Sequence, residues 1–365
     1  MGASLRIVFM GTPQLAAYIL EQLIVESAAR LSAAPPAGAG LHPEVASRFQ
    51  AQANSQAATR SQAPAANEAG GGIKARARFE VVAVVTRPDR PRGRGLATQP
   101  SPVAQVAARH GLALYKPTSV RESVFFAQLK SLAPDVLAVA AYGRILPREV
   151  LEEARLTPVN VHASLLPRHR GASPIEAAIL AGDAETGVTI MRMTERMDAG
   201  PILLRCATAI APDETQASLK ARLAELGAQA LLDALDSIAQ GTVCETAQDE
   251  TRATYCKPVK KEDAWIDWRA DALHIERMTR AYDPWPVARS KLAGQQLLVF
   301  KAEAWPQAAS EAAPGTIVQV KPAPMVSCGR GLLKLMEVQA AGRKRMAADD
   351  FMRGRRVAPG TRLGE

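Results

Sequence analysis

The sequence is poor in cysteine, with four in 365 residues, and none of them forms a C-x-x-C pair. Cysteines so widely spaced argue against a zinc site and against a disulfide framework, and they fit a reducing cytoplasm. No apolar run is long enough to cross a bilayer, and the N-terminus lacks the charged, apolar and small-residue pattern of a signal peptide. We therefore expect a soluble cytoplasmic protein without a metal ion.

The dinucleotide-binding fingerprint is also missing. Residues 5–10 (L-R-I-V-F-M) predict a strand, and the helical pattern that follows begins after Gly11-Thr12-Pro13. This turn lacks the second and third glycines that let a backbone approach a pyrophosphate. A nicotinamide- or flavin-dependent enzyme is therefore poorly supported.

Large apolar residues are scarce only in one part of the chain. The overall hydrophobic fraction is 47%, which is ample for two cores, whereas residues 27–78 are mostly Ala, Gln, Pro, Ser and Gly. We interpret residues 27–78 as a mobile insertion.

The net charge of +9 leaves two alternatives open, a polyanionic partner and an ordinary solvated basic surface.

Strand and helix patterns alternate through the first two thirds of the chain, which predicts an α/β fold with a Rossmann-like, doubly wound, mostly parallel sheet. From residue 287 onward the predicted strands are short and separated by turn residues, as in a small, OB-like β-barrel. We place the α/β domain at residues 1–210, a helix and linker at 211–254, and the barrel at 255–365.

The candidate site begins at residues 158–162 (P-V-N-V-H), which predict a short strand. Asn160 and His162 are two residues apart and therefore share one face near the carboxyl end, where open α/β sheets bind ligands. Ser164, Leu165, Leu166 and Pro167 follow in a constrained loop. Asp198, in the loop after a further predicted strand, is either a turn former or a third member of this site.

Each of these residues also has a structural interpretation. Asn160 could cap the loop backbone, and an isolated histidine is more often structural than catalytic. We expect His169, between Arg168 and Arg170, to be a surface residue, and Ser173 to cap a helix that begins at Pro174.

An arginine-rich segment follows the second predicted strand, at residues 87–95 (R-P-D-R-P-R-G-R-G). Its prolines and glycines predict an irregular loop. Arg90, Arg92 and Arg94 favour contacts with a phosphate backbone, the alternative being a solvated loop.

Together these motifs resemble the methionyl-tRNA formyltransferases, a branch of the 10-formyltetrahydrofolate-dependent formyltransferases. The resemblance rests on V-N-V-H-A-S-L-L-P-R-H-R-G-A-S-P, M-D-A-G-P-I, R-I-V-F-M-G-T-P and P-D-R-P-R-G-R-G, with D-A-W-I-D-W, Y-D-P-W-P and A-P-G-T-I near the C-terminus. The insertion is longer than the family usually has, and Pro258 stands where a lysine is common.

The resemblance implies transfer of a formyl group from 10-formyltetrahydrofolate to the α-amino group of methionyl-initiator tRNA. Attack by an amine on a formyl carbon forms an oxyanion and an ammonium. Asn160 and His162 would donate to the oxyanion, and Asp198 would balance the imidazole charge and help accept the proton of the amine.

The resemblance also assigns binding roles. Ser164, Leu165, Leu166 and Pro167 would lie against the folate, whereas Arg90, Arg92, Arg94 and Lys257 would contact tRNA, with the barrel domain holding its backbone. A monomer is the default expectation. The alternatives are a related formyltransferase acting on a small amine (glycinamide ribonucleotide or an amino sugar), a dehydrogenase, and a non-catalytic tRNA-binding protein.

Overall fold

The computed structural model describes residues 4–32, 76–92 and 97–364. The chain divides into two compact units whose segments alternate along the sequence. The first unit comprises Met1–Arg170, Gly187–Cys206 and Leu223–Ala253, and the second comprises Gly171–Thr186, Ala207–Arg222 and Thr254–Glu365. Residues 171–186 and 207–210 thus group with the second unit. The division into domains at 1–210, 211–254 and 255–365 stays a prediction.

The first unit is built on a seven-stranded sheet. Its strands are β1 (Leu5–Gly11), β2 (Phe79–Val85), β5 (Leu114–Tyr115), β6 (Val136–Ala140), β7 (Thr157–His162), β9 (Glu185–Arg192) and β10 (Ile202–Ala209). They are arranged in the order β10-β9-β7-β6-β1-β2-β5. The pairs β1–β2, β1–β6, β2–β5 and β6–β7 are parallel, whereas β9 runs antiparallel to β7. The predicted mostly parallel sheet is confirmed.

The core of this sheet explains why its central strands are almost entirely apolar. Every residue of β6 is buried, and β1 is buried at all but Arg6. Val8, Met10 and Leu137 pack with Phe125 and Leu129 in one cluster. A strand covered on both faces loses its period-2 alternation, since both sets of side chains face protein.

The helices assigned within the described residues, apart from short 3₁₀ turns, are α1 (Gln14–Ser32), α2 (Pro102–Arg109), α3 (Ser123–Leu132), α4 (Arg148–Leu151), α5 (Pro174–Ala181), α6 (Gln216–Ala239), α7 (Ala272–Ala281) and α8 (Ala348–Gly354). Helix α4, which lies between β6 and β7 in the chain, has only four residues.

Helix α1 continues six residues into the predicted insertion at 27–78. These residues are held by polar contacts: Ser27 Oγ donates to the Phe79 carbonyl at 2.8 Å, and Arg30 Nη1 binds Asp236 Oδ1 at 2.5 Å. The scarcity of large apolar residues in this segment did not indicate the helix end, because hydrogen bonds and an ion pair hold it in place of apolar packing.

The second unit contains an antiparallel sheet. Its strands are β12 (Ala288–Leu292), β13 (Gln295–Trp305), β14 (Ile317–Gln319), β15 (Met325–Ser327), β16 (Leu332–Ala340) and β17 (Met346–Ala347). Their order is β12-β13-β16-β15-β14, and β17 pairs with β16. Four short strands lie outside these two sheets: β3 (Arg90–Arg92), β4 (Ala97–Gln99), β8 (Arg170–Gly171) and β11 (Tyr255–Cys256).

The C-terminal residues join the two edge strands of this sheet. Gly364 N donates to Lys291 O at 2.9 Å on β12, and Ile317 N, on β14, donates to Thr361 O at 2.8 Å. Leu363 N also bonds the carbonyl of Gly315 at 2.8 Å. Both edges are therefore hydrogen-bonded, as the predicted barrel requires.

Helix α5 packs against α7 within the second unit. Ser173 occupies the N-cap position, but its side chain does not cap the helix. Its Oγ instead accepts a hydrogen bond from Val259 N at 3.2 Å. The predicted capping role is therefore wrong, because the hydroxyl is used by a segment 86 residues away.

All four cysteines are free thiols. Among the described residues, none of the helices is long and apolar enough to span a membrane. Cys328 is buried beside β15, and burial, reinforced by the charge of Asp271, raises the pKa of its thiol to about 12. Since the thiolate is the nucleophile, Cys328 should be unreactive in the folded protein.

We predict that iodoacetamide at pH 8 modifies the exposed Cys244 and spares Cys328. With a pKa of about 12, the thiolate fraction of Cys328 is on the order of 10⁻⁴ at that pH. Mass spectrometry of peptides from the native protein measures the difference, and the unfolded protein, in which all four thiols should react, is the control. Equal modification of Cys244 and Cys328 in the native protein would contradict the buried thiol.

Candidate active site

Strand β7 brings Asn160 and His162 to the carboxyl end of the first unit's sheet. Asn160 aligns with Val139 of the parallel strand β6 and with Met191 of the antiparallel strand β9. His162, the last residue of β7, aligns with Thr189. The two side chains are two residues apart and so share one strand face, with Asn160 half-buried and His162 only 6% exposed.

His162 is held between two acceptors. Its Nε2 lies 2.9 Å from the carbonyl oxygen of His169, and its Nδ1 lies 3.7 Å from Asp198 Oδ2. A carbonyl oxygen can only accept, so Nε2 must carry a proton and donate it. The Nδ1 edge therefore faces the carboxylate, within ion-pair range but beyond hydrogen-bond length.

His169 does not lie on the surface, as the sequence predicted. It is 9% exposed, it has a positive φ of 57°, and its main-chain carbonyl is the acceptor for His162. Arg170, the next residue, is fully buried. His169 and Arg170 therefore lie inside the protein, whereas Arg168 is exposed.

The loop that follows His162 is fastened to β9 through Thr189. The Thr189 hydroxyl donates to the Ser164 carbonyl at 2.7 Å and accepts from Leu166 N at 3.1 Å. Ser164 Oγ donates to the Arg168 carbonyl at 2.6 Å. The backbone amide of Leu166 is therefore already used inside the protein.

Of the four residues predicted to lie against the folate, three are buried. Ser164, Leu166 and Pro167 are covered, and Leu166 packs with Met191 and Ile202, whereas Leu165 is half-exposed. Leu165 is therefore the member of this set that offers a side chain to a ligand. The folate-contacting role of the set stays a prediction.

Asp198 lies in the loop between β9 and β10 in a left-handed conformation, with φ of 51°. Its side chain is 13% exposed. Its carbonyl accepts a hydrogen bond from Gln248 Nε2 at 2.9 Å, and the carbonyl of Gly200 accepts from the same nitrogen at 2.7 Å. The aspartate is both a turn residue and a neighbour of His162, as both interpretations of the sequence required.

Gln248, Arg170 and Glu250 are part of the site's surroundings that sequence reasoning missed. Arg170 Nη1 and Nη2 bind the two carboxylate oxygens of Glu250 at 3.0 and 3.1 Å, and its Nε and Nη2 also donate to Gln248 Oε1. The partners are 78–80 residues apart in the chain. No local pattern marks such contacts, because only the fold brings them together.

The predicted tRNA-contacting residues do not all fall in described parts of the chain. Arg90 and Arg92 lie in β3, which pairs antiparallel with β4 (Arg90 with Gln99, Arg92 with Ala97), so the predicted irregular loop contains a short ribbon. Arg94 lies outside the described residues. Lys257 is exposed in the second unit, directly after β11. Their contacts with tRNA remain predictions.

No group of three or more His, Cys, Asp or Glu side chains capable of holding a metal ion occurs in the parts of the chain that the structure describes. The functional groups gathered at the end of β7 are an amide, an imidazole and a carboxylate. They can donate hydrogen bonds to a developing negative charge and can accept a proton.

Two family models match the chain. The model described as "Formyl transferase" matches residues 57–235, and the model described as "Formyl transferase, C-terminal domain" matches residues 258–356. The methionyl-tRNA formyltransferase of Methylococcus capsulatus is 46% identical over 282 residues, which cover 77% of this chain and 91% of the relative. That of Thiobacillus denitrificans is 47% identical over 286 residues, covering 78% and 92%.

A crystal structure of an N-formyltransferase from Helicobacter canadensis, in complex with folinic acid and dTDP-3-aminofucose, has the same fold. It superposes with a TM-score of 0.57 at 13% identity and covers 92% of this chain and 99% of that one. This likeness concerns the fold alone. The chain belongs to the formyl transferase family and, within it, to the methionyl-tRNA formyltransferases. The resemblance inferred from the motifs is confirmed.

We predict that Gly200→Ala disrupts the Asp198 loop. A Cβ at Gly200 would lie 1.8 Å from the main-chain carbonyl oxygen of Arg192, and backbone cannot move aside as a flexible side chain can. We expect a loss of about 1–3 kcal/mol in the free energy of unfolding, measured by denaturant titration, together with lower activity.

Gly354→Ala is the matched control, because a Cβ there meets no atom within 4 Å. Its free energy of unfolding should change by less than about 0.5 kcal/mol. If the two variants unfolded at the same denaturant concentration as the native protein, the close packing of Gly200 on Arg192 would be wrong.

Proposed function

We propose that this chain transfers the formyl group of 10-formyltetrahydrofolate to the α-amino group of methionyl-initiator tRNA, and that Asn160, His162 and Asp198 perform the chemistry. The observation that carries the proposal is the His162–Asp198 pair, 3.7 Å apart on the Nδ1 side of the imidazole. It lies at the carboxyl end of a sheet strand, in a chain 46–47% identical to methionyl-tRNA formyltransferases.

The hydrogen bond from Nε2 to His169 assigns the remaining nitrogen of His162 its role. Because Nε2 is committed to a buried carbonyl, the ring nitrogen that would serve as donor to a developing oxyanion is Nδ1. The distance of 3.7 Å to Asp198 leaves that donor without a hydrogen bond to the carboxylate. His162 Nδ1 and the Asn160 amide would donate to the oxygen of the formyl group as charge develops on it.

Asp198 has two functions in this scheme. Its carboxylate would orient the imidazole, which is 6% exposed, and balance positive charge on the ring. It also lies close enough to the reacting centre to accept the proton released by the attacking amine, through water. Both functions require the loop of Asp198 to be held in place.

The formyl donor is a co-substrate with a flat heterocycle and a charged tail, and the residues present suit its apolar part. Ile145 follows β6 and is 69% exposed, and Leu165 follows β7 and is half-exposed. Because β6 and β7 are parallel neighbours, their following loops lie at the same sheet edge. Exposed apolar side chains at that edge support a ligand site there.

Recognition of tRNA would rest on basic residues. Arg90, Arg92 and Arg94 are proposed to reach the acceptor end, and Lys257 is proposed to contact the backbone from the second unit. The net charge of +9 supports a polyanionic partner. We further propose that the protein acts in the cytoplasm, as a monomer.

The direct test is formyl transfer from labelled 10-formyltetrahydrofolate to methionyl-initiator tRNA, compared with methionyl-elongator tRNA, glycinamide ribonucleotide and an amino sugar nucleotide. We expect efficient labelling of the initiator tRNA alone. Labelling of a small amine without labelling of tRNA would replace the proposed acceptor.

We predict that His162→Ala lowers turnover by roughly a hundredfold to a thousandfold, since one oxyanion donor is lost. The affinity for tRNA should be nearly unchanged, because the imidazole is buried within the protein. Single-turnover kinetics and a filter-binding assay measure the two quantities. His110→Ala removes a partly exposed imidazole that binds Glu21 and serves as the control, with native turnover expected. Turnover of His162→Ala within threefold of native would remove His162 from the mechanism.

We predict that Arg94→Ala weakens tRNA binding and flattens its dependence on salt. The slope of log K against log salt should fall by roughly 0.7–0.9 for each phosphate that the variant no longer neutralises. Arg148→Ala is the matched control, because this exposed arginine pairs with Glu152 and its removal changes the net charge equally. Identical salt slopes for the two variants would show that Arg94 does not bind a phosphate.

A further inference from the structure

We infer that Gln248 is a positioning residue that sets the distance between Asp198 and His162. This inference rests on the proposed function, since Asp198 acts on the formyl-transfer site. Gln248 does not touch the imidazole. It acts on the main chain of the loop that carries Asp198, through the carbonyls of Asp198 and Gly200.

Both protons of the Gln248 amide nitrogen are used on that loop. Nε2 donates to the Asp198 carbonyl at 2.9 Å and to the Gly200 carbonyl at 2.7 Å. An amide nitrogen has two protons, so each carbonyl takes one. The two bonds span three consecutive residues and fix the direction of the loop on both sides of Ala199.

The orientation of this amide cannot be reversed. Gln248 Oε1 accepts from Arg170 Nε at 3.1 Å and from Nη2 at 2.8 Å. A guanidinium only donates and a backbone carbonyl only accepts, so a flipped amide would place donor against donor and acceptor against acceptor. Arg170 is fully buried and fixed in turn by Glu250. A side-chain amide at position 248 therefore satisfies both neighbours at once, because it combines an acceptor for Arg170 with two donors for the loop.

The segment that carries Gln248 also bonds to both ends of the loop that carries Asp198. Glu245 binds Arg192, the last residue of β9, through two contacts of 2.7 and 2.9 Å. Thr246 exchanges two backbone hydrogen bonds of 2.8 Å with Ile202, the first residue of β10. The loop between β9 and β10 is therefore held at its start, at its end and, through Gln248, at Asp198.

The backbone at Asp198 requires such support. A residue with a side chain is less stable in the left-handed region than in a right-handed conformation. Without the two bonds from Gln248, the loop could relax from φ of 51° and carry the carboxylate away from His162. A displacement of about 1 Å at a catalytic group can lower turnover by up to a hundredfold.

The test uses Gln248→Glu and Gln248→Met in the full-length protein. Glutamate keeps an oxygen that accepts from Arg170 but replaces the Nε2 donor by a second acceptor. Methionine, which is similar in size, removes both the acceptor for Arg170 and the donor for the loop. We expect turnover to fall roughly tenfold to a hundredfold in both variants. The KM values for tRNA and for the formyl donor should stay within about twofold of native, because no binding surface changes.

The matched controls are Gln229→Glu and Gln229→Met on the exposed face of α6, where Gln229 bonds its helical neighbour Asp233. These variants should keep native turnover. If Gln248→Glu also kept native turnover while remaining folded by thermal unfolding, the inference would be overturned.

A double-mutant cycle separates positioning from general stability. In an Asp198→Asn background, Gln248→Met should lower turnover by less than about a further twofold, because the group that Gln248 positions is already disabled. A merely structural role predicts that the two losses multiply. Multiplied losses would therefore also overturn the inference.

One readout does not depend on formyl transfer. Amide hydrogen exchange at residues 194–200 should be faster in Gln248→Glu than in the native protein and the Gln229 controls. Unchanged exchange would overturn the positioning role even if the native protein is an active formyltransferase. Faster exchange in a protein whose native form does not formylate tRNA would support the positioning role and reject the proposed function.

Discussion

The structure of the site depends on how one buried imidazole is satisfied. His162 is 6% exposed, so both of its ring nitrogens need partners within the protein or in a bound substrate. The His169 carbonyl accepts from Nε2 at 2.9 Å, and the Asp198 carboxylate faces Nδ1 at 3.7 Å, beyond hydrogen-bond length. One partner comes from the loop after β7 and the other from the loop after β9. These two loops must therefore be held together before the histidine has a defined orientation.

A hydrogen-bond network around the buried Arg170 guanidinium holds the loop that carries Asp198. Arg170 is fully covered, and an unpaired guanidinium there would be costly. Glu250 neutralises it and Gln248 accepts from two of its nitrogens, while the amide of Gln248 extends the network to Asp198. Because the guanidinium is buried, geometries that break its hydrogen bonds are unfavourable, which restricts the network to few arrangements.

The strands of the sheet set the positions of the loops, and the loops carry the polar groups of the site, as in other open α/β folds. Apolar strands such as β6, buried throughout, set the positions at which the polar loops begin. Thr189 then ties the loop after His162 to β9, and Gly200 permits its loop to approach Arg192 closely. The antiparallel strand β9 therefore contributes to the site in two ways: Thr189 holds the loop after β7, and the loop after β9 carries Asp198.

The sequence by itself determined the mostly parallel sheet, the antiparallel C-terminal sheet, the family, and the candidates Asn160, His162 and Asp198. It did so because hydrophobic period, turn residues and contiguous motifs are local properties that neighbouring residues express without reference to the fold. Only the tertiary structure decided that His169 and Arg170 are buried and that α1 extends to Ser32. It also decided that the Ser173 hydroxyl accepts a hydrogen bond from Val259 N and that Gln248 bonds the loop of Asp198. The physical reason is that a polar side chain has no intrinsic preference for surface or interior. Its burial depends on whether a partner far away in the chain can satisfy it, as Gln248 and Glu250 satisfy Arg170 from 78 and 80 residues away.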